Sequence, residues 1–375
     1  MQPLHGLRII EFDGLGPVTF AGMMLADMGA EVLRLTRSES AAPAVFDQVG
    51  GSVLHRGRAA VPVDLKNPAD QARVLTLIGG ADAVIEGYRP GVMERLGFGP
   101  DVLQARNPAL VVGRVTGWGQ TGPLAQAVGH DLNYIGLSGV LHAMGDADRP
   151  PTPPLNLVGD YGGGAMMLVV GVLAALIEAR TTGRGRVVDA AMTDGAALLG
   201  GIFQAFRGQG MWSDRRGANL LDGGAPFYRC YACRDGGFVA VAALEPRFYA
   251  ALLKGLEIPP EAAPQYDMAG WPAMHARFAD LFARRDRDDW ANHFEGTEAC
   301  VTPVLSLAEA PNHPHNRARG AFDHGLPGPA PRFDGGEHKP GHSSALRLEE
   351  AVALWSAEGS AQGSEQADDP IRFRR

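Results

Sequence analysis

The feature that most constrains this chain is the alternation of short apolar strands with helical segments through its first two hundred residues. The stretches LRIIEF, EVLRLT, AAVPVDL, ADAVIEGY and ALVVGRVTG have the composition of buried strands, and helical segments lie between most of them. Such βα repeats form parallel sheets, because each crossover helix returns the chain to the same strand direction. The pattern predicts an α/β fold with a doubly wound parallel sheet.

Shifts in composition divide the chain further. We predict a large Rossmann-like domain over residues 1–206, a glycine-rich polar linker over 207–224 and a small α+β domain over 225–310. The small domain begins with YRCYACRDGGFVAVAAL, which is typical of two strands joined by an Asp-Gly turn. A Pro-, Gly- and His-rich return with an amphipathic helix, over 311–355, would complete the large domain, and 356–375 has the composition of a disordered tail.

Composition also limits the classes of function. Lys and Arg number 34 against 42 for Asp and Glu, a net charge of −8, which disfavours a nucleic-acid partner. The start of the chain lacks the charged and apolar regions of a signal peptide. The longest uncharged run, residues 161–177, is shorter than the roughly 20 residues of a membrane span. Three cysteines, two of them in CYAC before a strand, favour a structural role over a redox or metal site. We therefore expect a cytoplasmic protein with no membrane partner.

The turn after the first strand resembles part of a dinucleotide-binding fingerprint. Gly14 and Gly16 match the first two glycines of G-x-G-x-x-G, but Thr19 occupies the third position. The end of the next strand offers Arg34 and Arg37 where an NAD site has an acidic residue. NAD is therefore disfavoured, whereas a nucleotide with an extra phosphate on its ribose stays possible.

Five basic residues end or follow predicted strands. They are Arg34, Arg37, Lys66, Arg89 and Arg95. The carboxyl ends of parallel strands lie along one edge of the sheet, which is the edge where open α/β folds bind ligands. Five cations at that edge of an acidic protein favour a ligand with several phosphates. The chain has no P-loop motif, which disfavours nucleoside triphosphate chemistry.

Two glycine-rich motifs contain the candidate acid/base residues. GHDLNY places His130 beside Asp131, and LVGDYGGG places Asp160 at a predicted helix N-cap, before three glycines. An N-cap aspartate does not need those glycines, each of which weakens a helix by about 0.5–1 kcal/mol relative to Ala. Free backbone N–H groups at such a helix start could bind an oxyanion. We therefore favour a functional role for Asp160, whereas His130 taken alone is more consistent with a structural histidine.

Several separate stretches of the chain are similar to one family. They are GLRIIEF, ADMGAEVLRL, VDLK, IEGYRPGVMERLG, TGWGQTGP, GHDLNYIGLSG, PPLNLVGDYGGGAM, VVDAAMTDGA, RGANLLDGGAPFY and VAALEPRFYAAL. Over roughly residues 4–335 the chain resembles the alpha-methylacyl-CoA racemases, within the wider family III CoA-transferase fold. The resemblance implies an interlocked homodimer, with the active site between the large domain of one chain and the small domain of the other.

The resemblance also implies roles for individual residues. His130 is one acid/base, Asp160 is the opposing one, and Glu245 of LEPRFY supports the histidine, with Asp131 a neighbour in that network. The implied substrate contacts are Arg37, Val63, Asp64, Leu65, Lys66, Gly87, Tyr88, Arg89, Arg95, Gly129, His130, Asp131, Leu132, Asn133 and Tyr134. CoA is then part of the substrate, and no metal or redox cofactor is required.

Racemisation next to a thioester explains why two such groups would be present. A weakly acidic proton leaves one face of the α-carbon and a proton returns on the other, so two bases in opposite protonation states are needed. The expected reaction interconverts (2R)- and (2S)-2-methylacyl-CoA through an enolate. Branched fatty acyl, sterol side-chain and arylpropionyl thioesters are all consistent with the sequence.

Two alternatives stay open. A CoA-transferase of the same fold would use Asp160 as a nucleophile and form an acyl anhydride. His130 with Glu245, and RGANLLDGGAPFY in place of the GN-x-HP-type segment of transferase relatives, favour the racemase. A non-catalytic CoA-binding protein is the second alternative, and it would not need His130, Asp160 and Glu245 together.

Overall fold

The computed structural model describes residues 2–37, 51, 53–335 and 341–365, without the side chains of 357–365. The chain divides into two compact units. The large unit consists of Met1–Ser138, Leu155–Leu199 and Ala318–Arg375, and the small unit consists of Gly139–Pro154 and Gly200–Arg317.

Strands and helices alternate through the large unit. In chain order they are β1 (Arg8–Phe12), α1 (Pro17–Asp27), β2 (Glu31–Arg37), β3 (Ala59–Val63), α2 (Pro68–Gly79), β4 (Ala83–Glu86), α3 (Val92–Arg95), α4 (Pro100–Arg106), β5 (Val111–Thr116), α5 (Asp131–Leu137), a π-helix (Leu157–Ala165), α6 (Met166–Thr182), β6 (Val187–Ala191) and α7 (Met192–Leu199). The last part of the chain adds the short strands β10 (Phe322–Asp323), β11 (Leu326–Pro327) and β12 (Ser344–Ala345), and the helix α13 (Leu348–Glu365).

The described strands of the large unit include seven that form one parallel sheet, in the order β12-β3-β2-β1-β4-β5-β6. The chain progresses to one side of β1 through β2 and to the other side through β4. The boundary between β1 and β4 is therefore the switch point at which open α/β sheets form a ligand crevice. The predicted doubly wound parallel sheet is confirmed.

Both faces of this sheet are covered by helices. Ile9 and Ile10 are fully buried neighbours on β1, and they belong to opposite core clusters because successive strand residues point to opposite faces. One cluster includes Leu25 of α1 and Leu168 of α6, and the other includes Trp355 of α13. Burying each large apolar side chain contributes about 1.5–3 kcal/mol, so both helix layers stabilise the sheet.

The C-terminal segment extends and covers the sheet. Strand β12 pairs with β3, and α13 packs on the face that contains Trp355. The Arg8 Nη1 donates to the Trp355 carbonyl oxygen at 3.1 Å, and the Trp355 indole N–H donates to Glu31. A disordered tail was expected over 356–375, but α13 continues to Glu365, because a helix already nucleated gains one hydrogen bond for each added residue. Residues 366–375 lie outside the described part of the chain.

The small unit contains a three-stranded antiparallel sheet, in the order β7-β8-β9, and several helices. Its elements are α8 (Gly201–Gly208), β7 (Tyr228–Ala232), β8 (Phe238–Ala242), α9 (Pro246–Gly255), α10 (Trp271–Phe282), α11 (Arg287–Phe294), β9 (Val301–Val304) and α12 (Pro314–Ala318). Strands β7 and β8 flank the Asp-Gly turn, and their inward side chains share a core with aromatic residues of α10 and α11.

The unit boundaries differ from the predicted domains at several places. Residues 200–206, predicted in the large domain, and 207–224, predicted as a linker, both belong to the small unit. Residues 139–154 were expected in the large domain, but they belong to the small unit. Arg216 explains this, because its guanidinium donates to the carbonyl oxygens of Asp146, at 2.9 Å, and of Arg149. The return to the large unit begins at Ala318 rather than at residue 311.

The π-helix and α6 form one continuous segment, Leu157–Thr182. Its 26 residues make it, among the described helices, the one that is long and apolar enough to cross a membrane by length and composition. Half of its most apolar window is buried within the protein, where Leu168, Val172 and Leu176 join the core of the large unit. The segment thus serves as a core helix of this fold.

The π-helix packs on α7 with backbone against backbone. A Cβ atom at Gly163 would lie 2.7 Å from the Ala196 nitrogen and 2.9 Å from the Met192 carbonyl oxygen. A Cβ atom at Gly195 would overlap the carbonyl group of Gly163. Glycine at both positions therefore permits a helix contact that any larger residue would force apart.

We predict that Gly195→Ala destabilises the protein by about 1–3 kcal/mol, because the added methyl group must displace the π-helix. Elsewhere in a helix the same change is stabilising by about 0.5–1 kcal/mol. Gly201→Ala is the matched control, since no atom lies within 4 Å of a Cβ at that helical position. Urea denaturation of both variants measures the difference. Equal midpoints for the two variants would show that the contact is not tight.

Candidate active site

The turn after β1 approaches the side chain of Asp160. Gly16 precedes the first residue of α1 and has a φ of +67°, a conformation that favours glycine. A Cβ atom there would lie 3.3 Å from the Asp160 Oδ2. Thr19, which departs from the dinucleotide fingerprint, donates its hydroxyl proton to the Gly14 carbonyl oxygen and closes the turn. The β1–α1 turn thus lies against a candidate acid/base residue at the switch point of the sheet.

Asp160 lies inside the π-helix, so the prediction that it is an N-cap is wrong. The segment starts three residues earlier, at Leu157, and Asn156 is the N-cap. The Asp160 carboxyl group is partly buried, and its Oδ2 accepts a hydrogen bond from the Asn156 Nδ2 at 3.1 Å. The Asp160 backbone N–H donates to the Asp131 Oδ1 at 2.7 Å.

The three glycines after Asp160 also have a different role from the expected one. They were predicted to present free N–H groups to an oxyanion, but Gly163 and Gly164 are buried against α7 and α1. In a helix the N–H groups without an intrahelical partner belong to the first residues, here those before the glycines. The N–H of Asp160 is one of them, and Asp131 already accepts it. The glycines therefore serve close packing.

The surroundings of Asp160 raise the pKa of its carboxyl group above the usual value. Burial is the main cause, and the negative charge of Asp131 acts in the same direction. The hydrogen bond from Asn156 and the charge of His130 partly oppose them. Asp160 therefore holds its proton to a higher pH than an exposed aspartate, which suits a group that both accepts and returns a proton.

His130 and Asp131 begin α5 but face different surroundings. His130 is the N-cap and is exposed, and its backbone N–H donates to the Asn133 Oδ1 at 3.0 Å. Asp131 is 6% exposed and points toward the π-helix. Because Asp131, the residue after His130, accepts the Asp160 N–H, the structure brings together the two motifs that the sequence offered separately.

Tyr134 holds the backbone next to His130. Its ring is buried and packs edge-on against Trp118, with centroids 4.8 Å apart, and its hydroxyl donates to the Gly129 carbonyl oxygen. A Cβ atom at Gly117 would overlap the Tyr134 ring. Burial raises the pKa of Tyr134; the charge of Asp160 adds to this and that of Arg89 opposes it. Sequence reasoning missed Gly117 and Trp118, although both lie in the stretch TGWGQTGP.

Most of the predicted CoA-binding residues lie at the carboxyl edge of the sheet. Arg37 ends β2 directly opposite Val63, the last residue of β3, and Gly87 follows β4. Arg37, Lys66, Arg89 and Arg95 are exposed there or in the loops beyond, as are Asp64 and Gly87. The remaining predicted contacts, at Leu65 and at Gly129, Leu132 and Asn133, are half-buried or exposed.

Arg34 does not belong with these cations. Its Nη1 donates to the Asp13 Oδ1 at 2.8 Å and lies 3.1 Å from the His55 Nε2. Its side chain is only 12% exposed. The charge of Arg34 is therefore neutralised by the turn after β1, and the expected group of five cations is corrected to four.

A buried ion-pair network anchors the loop that contains Tyr88, Arg89 and Arg95. The Arg114 Nε donates to the Glu86 Oε1 at 2.7 Å, and the Arg114 Nη1 donates to the Glu94 Oε1 at 2.8 Å. The other oxygen of Glu86 accepts the Tyr88 N–H at 2.6 Å. Sequence reasoning missed Glu86, Glu94 and Arg114, because the pairing of charges on separate elements depends on how those elements pack.

Tyr88 connects this loop to the end of β1. Burial raises the pKa of Tyr88 to about 12, and the charge of Arg37 acts in the opposite direction. The phenol ring packs edge-on against Phe12 at 6.4 Å. The loop after β4 thus packs on the end of β1 at the switch point.

Glu245 lies in the small unit as the residue before α9, and it is exposed, with no side-chain bond to the helix start. Its expected support of His130 stays a prediction. In the ranges that the structure describes, no three His, Cys, Asp or Glu side chains are placed to hold a metal ion.

Comparison with known proteins identifies the family. The sequence profile of CoA-transferase family III matches residues 4–332. The mouse alpha-methylacyl-CoA racemase is 44% identical over 332 residues, covering 88% of this chain and 85% of that protein. The human protein of the same name is 42% identical, covering 85% and 82%. The crystal structure of a CAIB/BAIF family protein from Brucella suis has the same fold, with a TM-score of 0.77, 24% identity and coverage of 95% and 99%. The chain belongs to CoA-transferase family III.

Proposed function

We propose that this protein is a racemase that interconverts (2R)- and (2S)-2-methylacyl-CoA thioesters by a two-base 1,1-proton transfer. The observation that carries the proposal is that the motif of His130 and the π-helix of Asp160 meet, through the Asp160 N–H bond to Asp131, in a chain closely similar to racemases. The first test is to incubate the wild-type protein with each pure epimer and then determine the configuration of the acyl group. Both epimers should appear from either starting compound.

The two groups differ in the way that this chemistry requires. Asp160 is partly buried and its pKa is raised, whereas His130 is exposed at the start of α5. One group removes the α-proton while the other donates a proton to the opposite face of the planar enolate, and the roles reverse for the other epimer. The number of protons is conserved, because after each turnover the group that removed a proton is protonated and the group that donated one is not.

The CoA part of the substrate binds at the carboxyl edge of the large-unit sheet. The four exposed cations Arg37, Lys66, Arg89 and Arg95 supply charge for the phosphate groups. Arg114 holds Glu86 and Glu94, so the loop between these two residues is ordered before the substrate binds. Preorganised contacts of this kind reduce the entropy lost on binding. The reaction requires no metal or redox cofactor.

A family III CoA-transferase is the alternative function, because Asp160 is also placed to act as a nucleophile toward a thioester. The hydrogen bond from Asn156 would favour the ionised carboxylate that such an attack needs. The two functions differ in product. A transferase yields a new thioester when it is supplied with an acyl-CoA and a free carboxylic acid, and a racemase does not.

The proposal extends to an interlocked homodimer, a cytoplasmic location and support of His130 by Glu245. Family resemblance is the main ground for all three. The large unit also exposes apolar side chains on α6 and α7, among them Val170 at 62%, Ile177 at 70% and Leu198 at 69%. Apolar surface of that kind is typical of a face that a partner covers.

We predict that His130→Ala slows epimerisation by a factor on the order of 10²–10⁴, because one of two acid/base groups is lost. In heavy water this variant should still exchange the α-proton of one epimer much faster than that of the other, since Asp160 faces one side of the α-carbon. Asp160→Ala should show the opposite preference. Deuterium incorporation from each pure epimer, measured by NMR, gives the result.

Equal exchange from both epimers in both variants would contradict the two-base assignment. Loss of acyl transfer without any effect on exchange would support the transferase instead. Asn316→Ala, at a position in the small unit outside the proposed catalytic group, serves as the control for handling and purification.

We predict that Arg37→Ala raises KM with little change in kcat, because this cation binds the nucleotide part of CoA equally in the ground and transition states. The effect should shrink for a truncated thioester that lacks the nucleotide. Arg180→Ala is the matched control, since Arg180 is also exposed but lies near the C-terminus of α6, away from β2. A fall in kcat at constant KM would contradict this role of Arg37.

We predict that the dimer does not separate without unfolding, because interlocked chains must be released by opening one of them. Analytical ultracentrifugation over decreasing concentration should show no folded monomer, and loss of the dimer in urea should coincide with loss of circular dichroism. A folded, active monomer at any concentration would refute the interlocked assembly.

A further inference from the structure

Asp131 was expected to belong with His130, but its contacts lead to Asp160. Successive helix residues point about 100° apart, so the two neighbours at the start of α5 face different directions. His130 is exposed, whereas Asp131 is buried and its Oδ1 accepts the Asp160 N–H at 2.7 Å. This bond joins α5 to the π-helix at the residue whose side chain is a proposed acid/base.

The surroundings of Asp131 are shaped for this contact. A Cβ atom at Gly159 would lie 2.5 Å from the Asp131 Oδ1, so glycine there lets the carboxylate reach the backbone. The accepted N–H lies in the first turn of the π-helix, where it has no partner within the helix. A hydrogen bond to a charged acceptor is stronger than one between neutral groups, so it can fix the backbone at Asp160.

The second carboxylate oxygen of Asp131 differs from the first. Within the described residues, its Oδ2 is buried and has no hydrogen-bond partner. A buried carboxylate oxygen without a donor is costly and is seldom retained without a use. The charge of Asp131 acts on Asp160, and also on Tyr134.

We propose that Asp131 is a positioning residue for Asp160, which it anchors through the backbone while its fixed negative charge favours the protonated form of the Asp160 carboxyl group. The catalytic role in this inference rests on the proposed function, whereas the effect of Asp131 on the backbone and protonation of Asp160 does not. Asp131 touches neither reacting atoms nor CoA in this role.

The electrostatics agree with the geometry. After burial, the charge of Asp131 is the remaining influence that raises the pKa of Asp160, while Asn156 and the charge of His130 lower it. Tyr134 also faces Asp160 from α5, and Gly16 contributes no charge from the start of α1. Removing the charge of Asp131 should therefore lower the pH at which Asp160 titrates, and removing the Asn156 donor should raise it.

Three variants separate the anchor from the charge. Asp131→Asn keeps an oxygen acceptor for the Asp160 N–H but loses the charge, and Asp131→Leu loses both. Asn156→Leu removes the donor to Asp160 and leaves Asp131 intact. The titration of Asp160 is followed by NMR of protein labelled with ¹³C at the aspartate carboxyl group, with Asp160→Asn identifying the signal. The ring of His130 is titrated in parallel, and circular dichroism checks that each variant is folded.

We expect Asp131→Asn to shift the titration of Asp160 to lower pH, and Asn156→Leu to shift it to higher pH. The acid limb of the kcat/KM profile should move in the same directions for both epimers. Asp131→Leu should lose on the order of 10²-fold in kcat through misplacement of Asp160, a larger loss than that of Asp131→Asn.

An unchanged or upward titration of Asp160 in Asp131→Asn would overturn the proposal. So would a response of the His130 ring alone, which would assign Asp131 to the histidine. Equal losses of kcat in Asp131→Asn and Asp131→Leu would overturn the anchoring role. If the wild-type protein does not epimerise 2-methylacyl-CoA, the proposed function fails, but the titration of Asp160 still decides this inference.

Discussion

The backbone contact between the π-helix and α7 is the constraint on which the candidate site depends. Gly163 and Gly195 allow the two helices to approach until a Cβ atom on one would overlap the carbonyl group of the other. Protein interiors are close-packed, so a contact of this kind determines the position of both helices within narrow limits. The π-helix in turn places Asp160 between the turn at Gly16 and the carboxylate of Asp131.

The site uses buried charge in two different ways. Around Arg114, the carboxylates of Glu86 and Glu94 both accept protons from one guanidinium, which anchors the loop between them. Around Asp160, the buried neighbour that accepts its backbone N–H is another carboxylate, Asp131. A carboxylate with a cationic partner is held in place, whereas a carboxylate beside another one has its protonation shifted. The proposed binding edge and the proposed acid/base group of the large unit thus depend on different electrostatic arrangements.

Ordinary packing explains features that first looked catalytic. Three glycines after Asp160 weaken a helix, and binding of an oxyanion by their N–H groups would explain why they are present. The structure assigns Gly163 and Gly164 to close contacts with α7 and α1 instead. Arg34 similarly looked like a ligand cation, but it is bound to Asp13. In both cases the partner that determines the role of the residue is distant in the sequence.

The sequence by itself determined the parallel sheet, the order of its early elements and the family, because hydrophobic periodicity and ordered motifs are local properties of the chain. It also indicated His130, Asp160 and the cations Arg37, Lys66, Arg89 and Arg95 as candidates. Only the tertiary structure decided that Asp131 contacts Asp160, that Arg114 joins Glu86 to Glu94, and that residues 139–154 belong with the small unit. These are contacts between residues far apart in the chain, and side-chain direction and partner identity at such distances depend on how whole elements pack.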